Sequence, residues 1–211
     1  MLFLPALYHH NLDGSYDAML EDARVEIVYV GNVHSHRRSI GEKCLLANKH
    51  VLLEKPFACN AKDAQYLITL AKERHLFIME GMWTRFFPAV ELSRRLVLGN
   101  GQDQPGVIGD VVSVVSDFNF NASDSDEYPS SILYNHKEGG GASLFIAPYP
   151  LAAALLFFNG TKPEKVFAVG QVDRNTGVDL QASMSLSFPP TSNIVPDMKQ
   201  SVSKDYIKLP G

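Results

Sequence analysis

The chain has 211 residues, is 45% hydrophobic and 20% charged, and carries a net charge of −4 with a pI near 6.0. This is ordinary globular composition, enough for one large core or two small ones. With 19 Lys and Arg against 23 Asp and Glu, no basic surplus points to nucleic acid or an anionic membrane surface, and no run approaches the roughly 18 apolar residues that span a bilayer. The two cysteines, Cys44 and Cys59, stand in no CxxC or His-rich spacing, so neither a metal site nor a disulfide framework is expected. Sparse cysteine suits a reducing compartment, and the opening MLFLPALYHH is too short and lacks the basic leader for a secretory signal.

Gly14 and Ser15 precede a short helical segment, 16–23, with Ser15 as its cap. Residues 25–30 (VEIVYV) read as a strand ending at Gly31, and the apolar spacing of Ile40, Cys44, Leu45 and Ala47 predicts a helix over 40–48. A second strand, 51–53, stops at Glu54, Lys55 and Pro56. Asn60 caps a predicted helix to Arg74, with Ala64, Leu67, Ile68 and Ala71 on one face, and 76–79 reads as a third strand. Strand, helix, strand, helix, strand at this spacing predicts right-handed crossovers in a parallel sheet. The carboxyl ends of the three strands then lie along one edge, where ligands of such sheets sit. That edge carries residues 31–36, 54–56 and 80–85.

The texture changes after Met82, where a domain boundary is expected, giving 1–82 and 83–211. Residues 88–98 form an amphipathic helix, and 107–120 (VIGDVVSVVSDFNF) alternate and read as strand. A polar loop over 121–137 leads to Gly139–Gly141, which opens an apolar helix running through Leu155. Residues 165–172 and 180–188 read as paired strands around Asn175-Thr176-Gly177.

Four groups could carry chemistry. Proline restricts the residue before it, so Lys55 is either a positioned cation or merely the end of a strand. Gly31 lets a ligand approach the backbone closely, while His34 reads as an exposed loop histidine and His36 as either that or a cofactor contact. Trp83, the only tryptophan, suits a cleft wall beside packing phenylalanines, and Arg85 could face an anionic cofactor. Tyr149 is either a buried tyrosine with a satisfied hydroxyl or a proton shuttle. An ammonium nearby favours a phenolate, as the oxidation of an alcohol needs. The triple glycine lacks GxGxxG spacing and follows a loop, so it is not a phosphate loop.

In order, GSYDAML, VYVGNVHSH, KHVLLEKPF, MEGMWTRFFP and GGGASLFIAPYP resemble the dimeric dihydrodiol dehydrogenase branch of the Gfo/Idh/MocA oxidoreductases, from about Gly14 to Pro189. The resemblance implies an α/β fold, a partial Rossmann-like parallel sheet followed by an α+β domain with a mostly antiparallel open sheet. It implies NADP-dependent oxidation of trans-dihydrodiols or aldopyranoses such as D-xylose by hydride transfer, with NAD left open, in a cytoplasmic homodimer. By that resemblance Lys55 and Tyr149 are catalytic and Trp83 lines the substrate pocket. Gly31, His36, Glu54, Lys55, Pro56 and Arg85 fall on the cofactor side. The Lys55–Pro56 bond is expected to be cis.

The chain also departs from the family pattern. The GxGxxG unit expected ahead of Tyr8 is absent, which predicts weak NADP(H) binding by the chain alone. Asn32-Val33 replaces Thr-Pro, Phe145 stands where the family has aspartate, and Ala147-Pro148 replaces Gly-Ile. Pro148 is expected to distort the helix start and move the Tyr149 hydroxyl. These departures leave a second expectation, a non-catalytic relative acting as a partner subunit.

Overall fold

The computed structural model describes residues 15–99, 104–121 and 128–189. Gly14, the opening segment, residues 122–127 of the polar loop, and the chain beyond Pro189 lie outside the described residues. Those described fall into two compact units. One holds those within Met1–Thr84, Phe118–Tyr149 and Gly170–Ala182, the other those within Arg85–Asp117, Pro150–Val169 and Ser183–Gly211.

The first unit is built on three parallel strands, β1 (Ile27–Val30), β2 (His50–Glu54) and β3 (Ile78–Gly81), in the spatial order β1-β2-β3. Val28 pairs with Val51, and Val51 with Ile78. Short helix α1 (Tyr16–Glu21) precedes β1, and Ser15 Oγ accepts the Ala18 N–H as its cap. The crossovers are α2 (His34–Leu46) and α3 (Ala61–Glu73). The core between helices and sheet holds Val30, Leu45, Val51, Leu53 and Leu67 with Cys44, all essentially inaccessible to solvent. Both crossover helices stop on a residue in the left-handed region, Asn48 after α2 and His75 after α3 (φ 58° and 56°). There the Lys49 and Leu76 N–H groups bond back to Cys44 and Ala71 carbonyls, satisfying the exposed helix end.

Two boundaries differ from the sequence reading for physical reasons. Helix α2 begins at His34, not Ile40, because His34 and Arg37 are buried through hydrogen bonds, which apolar periodicity cannot register. His34 is therefore a buried helical residue and not an exposed loop histidine. Strand β3 begins at Ile78 because Leu76 still closes the end of α3.

In the second unit, α4 (Pro88–Leu98) starts with proline at its first position, where no N–H is needed, and ends at Gly99 (φ 73°). Residues 107–120 form no strand, contrary to the alternation read from them. No described strand pairs with them, and Val107, Ile108, Val112 and Val115 are exposed. Alternation alone does not make a strand, which also needs the N–H and C=O groups of a paired neighbour. The apolar helix predicted from Gly139 to Leu155 is two helices, α5 (Ala142–Phe145) and α6 (Pro148–Phe157). Proline lacks the N–H to continue a helix and serves in the first turn of the next, so the break falls just before Pro148.

Strands β4 (Lys165–Val172) and β5 (Asp179–Ser187) form an antiparallel hairpin. Its connection closes on Asp173, whose carboxylate accepts from the Thr176 N–H and hydroxyl, with Gly177 at φ 74°. No single helix among the described residues is long and apolar enough to cross a membrane.

Candidate active site

The site grows from the carboxyl ends of the three parallel strands. Each end sends one side chain to the turn after β2. From β1, the Tyr29 hydroxyl donates to Glu54 Oε1 at 2.8 Å. At the end of β2, Glu54 Oε2 accepts the Lys55 N–H at 3.1 Å. From β3, Glu80 Oε1 accepts the Phe57 N–H at 2.9 Å. Arg37, in the first turns of α2, closes the brace. Its Nη1 donates to the Pro56 carbonyl at 2.7 Å and its Nε to the Asn32 carbonyl at 2.9 Å. Burial lowers the pKa of this guanidinium from its ordinary value, partly offset by the carboxylate of Glu54. The Tyr29 phenol is pushed up, first by burial and then by its bond to Glu54. The Lys55–Pro56 peptide bond is cis.

This brace aims the Lys55 side chain at the segment around α5. Its Nζ donates to the Phe145 carbonyl at 2.7 Å and lies 4.6 Å from the centre of the Tyr149 ring. At that distance over an aromatic face an ammonium is attracted by the ring quadrupole. Trp83, in the 3-10 turn Trp83–Phe86 that follows β3, donates its indole Nε1–H to the Tyr149 oxygen at 3.1 Å. Phe118 meets the same ring edge-on, centroids 5.4 Å apart. Lys55, Trp83 and Tyr149, separated widely in sequence, thus lie together.

The glycines explain how the segment bearing Phe145 and Tyr149 comes so close. At Gly139 (φ 79°) a Cβ would stand 2.7 Å from His34 Cβ. At Gly141 (φ 111°) one would stand 2.3 Å from an Asp179 carboxylate oxygen. Only glycine takes these backbone angles without strain and leaves that room. His34 Nδ1 lies 2.9 Å from the Gly139 carbonyl oxygen. Because the carbonyl only accepts, this nitrogen carries the proton. Burial lowers the His34 pKa, and its ring packs on Phe145 at 4.3 Å. Ser35 donates to Glu138 beside it, and Asp179 Oδ2 accepts the Ser143 N–H at 2.6 Å, capping α5.

Other candidate residues are placed less closely. His36 is exposed in the first turn of α2. Gly31 follows β1, and the nearest atoms a Cβ there would meet all belong to the Tyr29 ring. Arg85 is exposed and counts with the second unit. Arg37, Glu80 and the glycine contacts were not singled out from sequence. The available signal was the placement of Arg37 and Glu80 at or beside strand ends.

Comparison with known proteins agrees with this architecture. Residues 4–82 match the oxidoreductase family with NAD-binding Rossmann fold, GFO_IDH_MocA, and residues 104–204 match the GFO/IDH/MocA C-terminal domain. The chain is 39% identical to the trans-1,2-dihydrobenzene-1,2-diol dehydrogenase of Danio rerio over 83% of its own length and 49% of that protein. It is 35% identical to the Homo sapiens protein of the same name over the same shares. The chain thus spans about half the length of the curated relatives it matches. Among solved structures, the aldose-aldose oxidoreductase of Caulobacter crescentus superposes with a TM-score of 0.62 at 27% identity, covering 82% of this chain and 50% of that one. KijD10, a 3-ketoreductase from Actinomadura kijaniata solved with NADP and TDP-benzene, gives 0.61 at 28% identity over the same shares. Both domain matches, and the relatives that share them, place this chain in the Gfo/Idh/MocA family of oxidoreductases.

Proposed function

We propose that this chain carries the hydride-transfer site of an NADP-dependent dehydrogenase. Its substrates would be trans-dihydrodiols or aldopyranoses such as D-xylose, and it would act as a homodimer in the cytoplasm. The observation that supports the reading best is the Lys55 ammonium lying 4.6 Å from the Tyr149 ring centre. A cation there can hold a substrate hydroxyl and stabilise charge that develops on its oxygen. The relatives named dihydrodiol dehydrogenases support the substrate class, and a 3-ketoreductase solved with NADP supports the cofactor.

The residues present fit the nicotinamide side of such a cofactor. Gly31, Glu54, Lys55 and Pro56 line strand ends in the first unit, and the backbone at Gly31 is approached only by a tyrosine ring among its nearest atoms. His36 and Arg85 complete the proposed cofactor side in this reading. We take the domain division to fall near Met82. When bound, the nicotinamide supplies the hydride acceptor.

The chain's own residues do the rest. Lys55 has three N–H donors; one is engaged by the Phe145 carbonyl, and another can hold the substrate oxygen. Tyr149 takes the proton of that hydroxyl and returns it in the reverse direction. Trp83 presents its ring as a wall to the substrate.

The test is direct. The full chain is mixed with NADP⁺ and either trans-1,2-dihydrobenzene-1,2-diol or D-xylose, and the near-ultraviolet absorbance of NADPH is followed. Reduction is expected with at least one of them. No reduction with either, at substrate and cofactor well above millimolar, sinks the dehydrogenase reading and leaves a non-catalytic partner subunit.

A further inference from the structure

An indole N–H can only donate a hydrogen bond, so at 3.1 Å the Tyr149 oxygen is the acceptor of the Trp83 bond. The phenol's own proton must then point away from the indole. The ring that carries it has little freedom. Trp83 and Phe118 meet it edge-on, with interplanar angles of 87° and 82°, and Lys55 covers a face.

We propose that Trp83 is a positioning residue that directs the Tyr149 proton. Its donation occupies one side of the phenolic oxygen and leaves the other side for the substrate hydroxyl. This inference rests on the proposed role of Tyr149 and gives Trp83 a task beyond lining a pocket. In the oxidative direction Tyr149 starts as the phenolate, its own proton released to solvent; the substrate O–H bond then breaks and its proton forms the Tyr149 O–H on the side away from the indole. A bound oxidised nicotinamide would take the electron pair of the substrate C–H bond as hydride, so that alcohol and NADP⁺ would become carbonyl and NADPH. The indole N–H stabilises the oxygen throughout without exchanging its own proton.

Two substitutions separate direction from lining. Trp83→Phe keeps an aromatic ring and removes the donor, and Trp83→His keeps a ring N–H. With NADP⁺ and the dihydrodiol, Trp83→Phe is expected to lower kcat about tenfold, the effect of one hydrogen bond, with KM changed less than about twofold. Trp83→His is expected to recover part of kcat. A raised KM with unchanged kcat overturns the inference and leaves Trp83 a wall.

Because Trp83 is the only tryptophan, its emission reads the contact without turnover. Ionisation of a phenol bonded to the indole quenches it, so the alkaline titration of Trp83 emission should differ between the wild-type chain and Tyr149→Phe. Superimposable titrations overturn the inference. A wild-type chain with the Tyr149-dependent quench but no turnover fails the dehydrogenase reading, and the proton-directing role falls with it. Turnover indifferent to Trp83→Phe overturns the inference alone.

Discussion

His34 Nδ1 lies 2.9 Å from the carbonyl oxygen of Gly139, tying the first turn of α2 to a residue 105 positions further along the chain. The contact allows no side chain at 139, where a Cβ would stand 2.7 Å from His34 Cβ and φ is 79°. Gly139→Ala is expected to cost about 2–4 kcal/mol, combining backbone strain with overpacking. Gly177, at φ 74° with nothing near its would-be Cβ, provides the comparison. Gly177→Ala should cost about 1 kcal/mol, from the left-handed backbone alone. Urea midpoints of the two variants decide it, and equal losses would mean that the His34 contact imposes no steric demand.

The Lys55 ammonium donates to the Phe145 carbonyl in a half-buried setting. Its removal should therefore affect stability little, by about 1 kcal/mol or less. In the proposed mechanism the same ammonium holds the reacting oxygen. Lys55→Ala should thus lower turnover by at least about a hundredfold, a typical loss for a removed electrostatic group, while circular dichroism and the thermal midpoint stay close to wild type. Undiminished turnover in a folded variant would remove Lys55 from the chemistry.

Asn60 caps α3 through its side-chain oxygen, which accepts the Asp63 N–H at 2.9 Å. Asn60→Ala should destabilise the chain by about 1 kcal/mol, and Asn60→Asp should keep most of the capping. Thermal unfolding of both variants checks this. If Asn60→Ala and Asn60→Asp lose stability equally, the cap is not what Asn60 contributes.

Cys44 is fully buried, and burial pushes its thiol up to about 11. A thiol raised above its unfolded value of 9.0 contributes stability that is complete below pH 9 and is lost as pH rises toward 11. Cys44→Ala should therefore flatten the fall in stability over that range, although it also leaves a small cavity. The same burial predicts two kinetic classes of thiol: partly accessible Cys59 should react with a disulfide reagent in the native chain, and Cys44 only after unfolding. Simultaneous labelling of both under native conditions would contradict the buried position.

The parallel sheet and the caps of its helices were legible because their signals are local. Short apolar runs mark β1 to β3, and Ser15 and Asn60 announce α1 and α3. Where a segment buries polar groups, that signal fails. Helix α2 was read six residues late, since His34 and Arg37 are buried through bonds to Gly139, Asn32 and Pro56 that no periodicity contains. Residues 107–120 misled in the opposite sense: alternation expresses a side chain's preference for a pleated surface, but a strand also needs a neighbour's N–H and C=O groups.

From the order of its residues alone, this protein has a lysine fixed at a strand end before a proline, a tyrosine after a helix-breaking proline, and one tryptophan just past the third strand. Tertiary structure decided that the three share a site, with the ammonium over the phenol ring and the indole N–H on its oxygen. It also decided that Gly139 and Gly141 serve as spacers where the chain passes His34 and Asp179. The difference is one of range. Propensity, capping and helix breaking act over a few residues, whereas the meeting of Lys55 with Tyr149 depends on the packing of segments far apart in the chain.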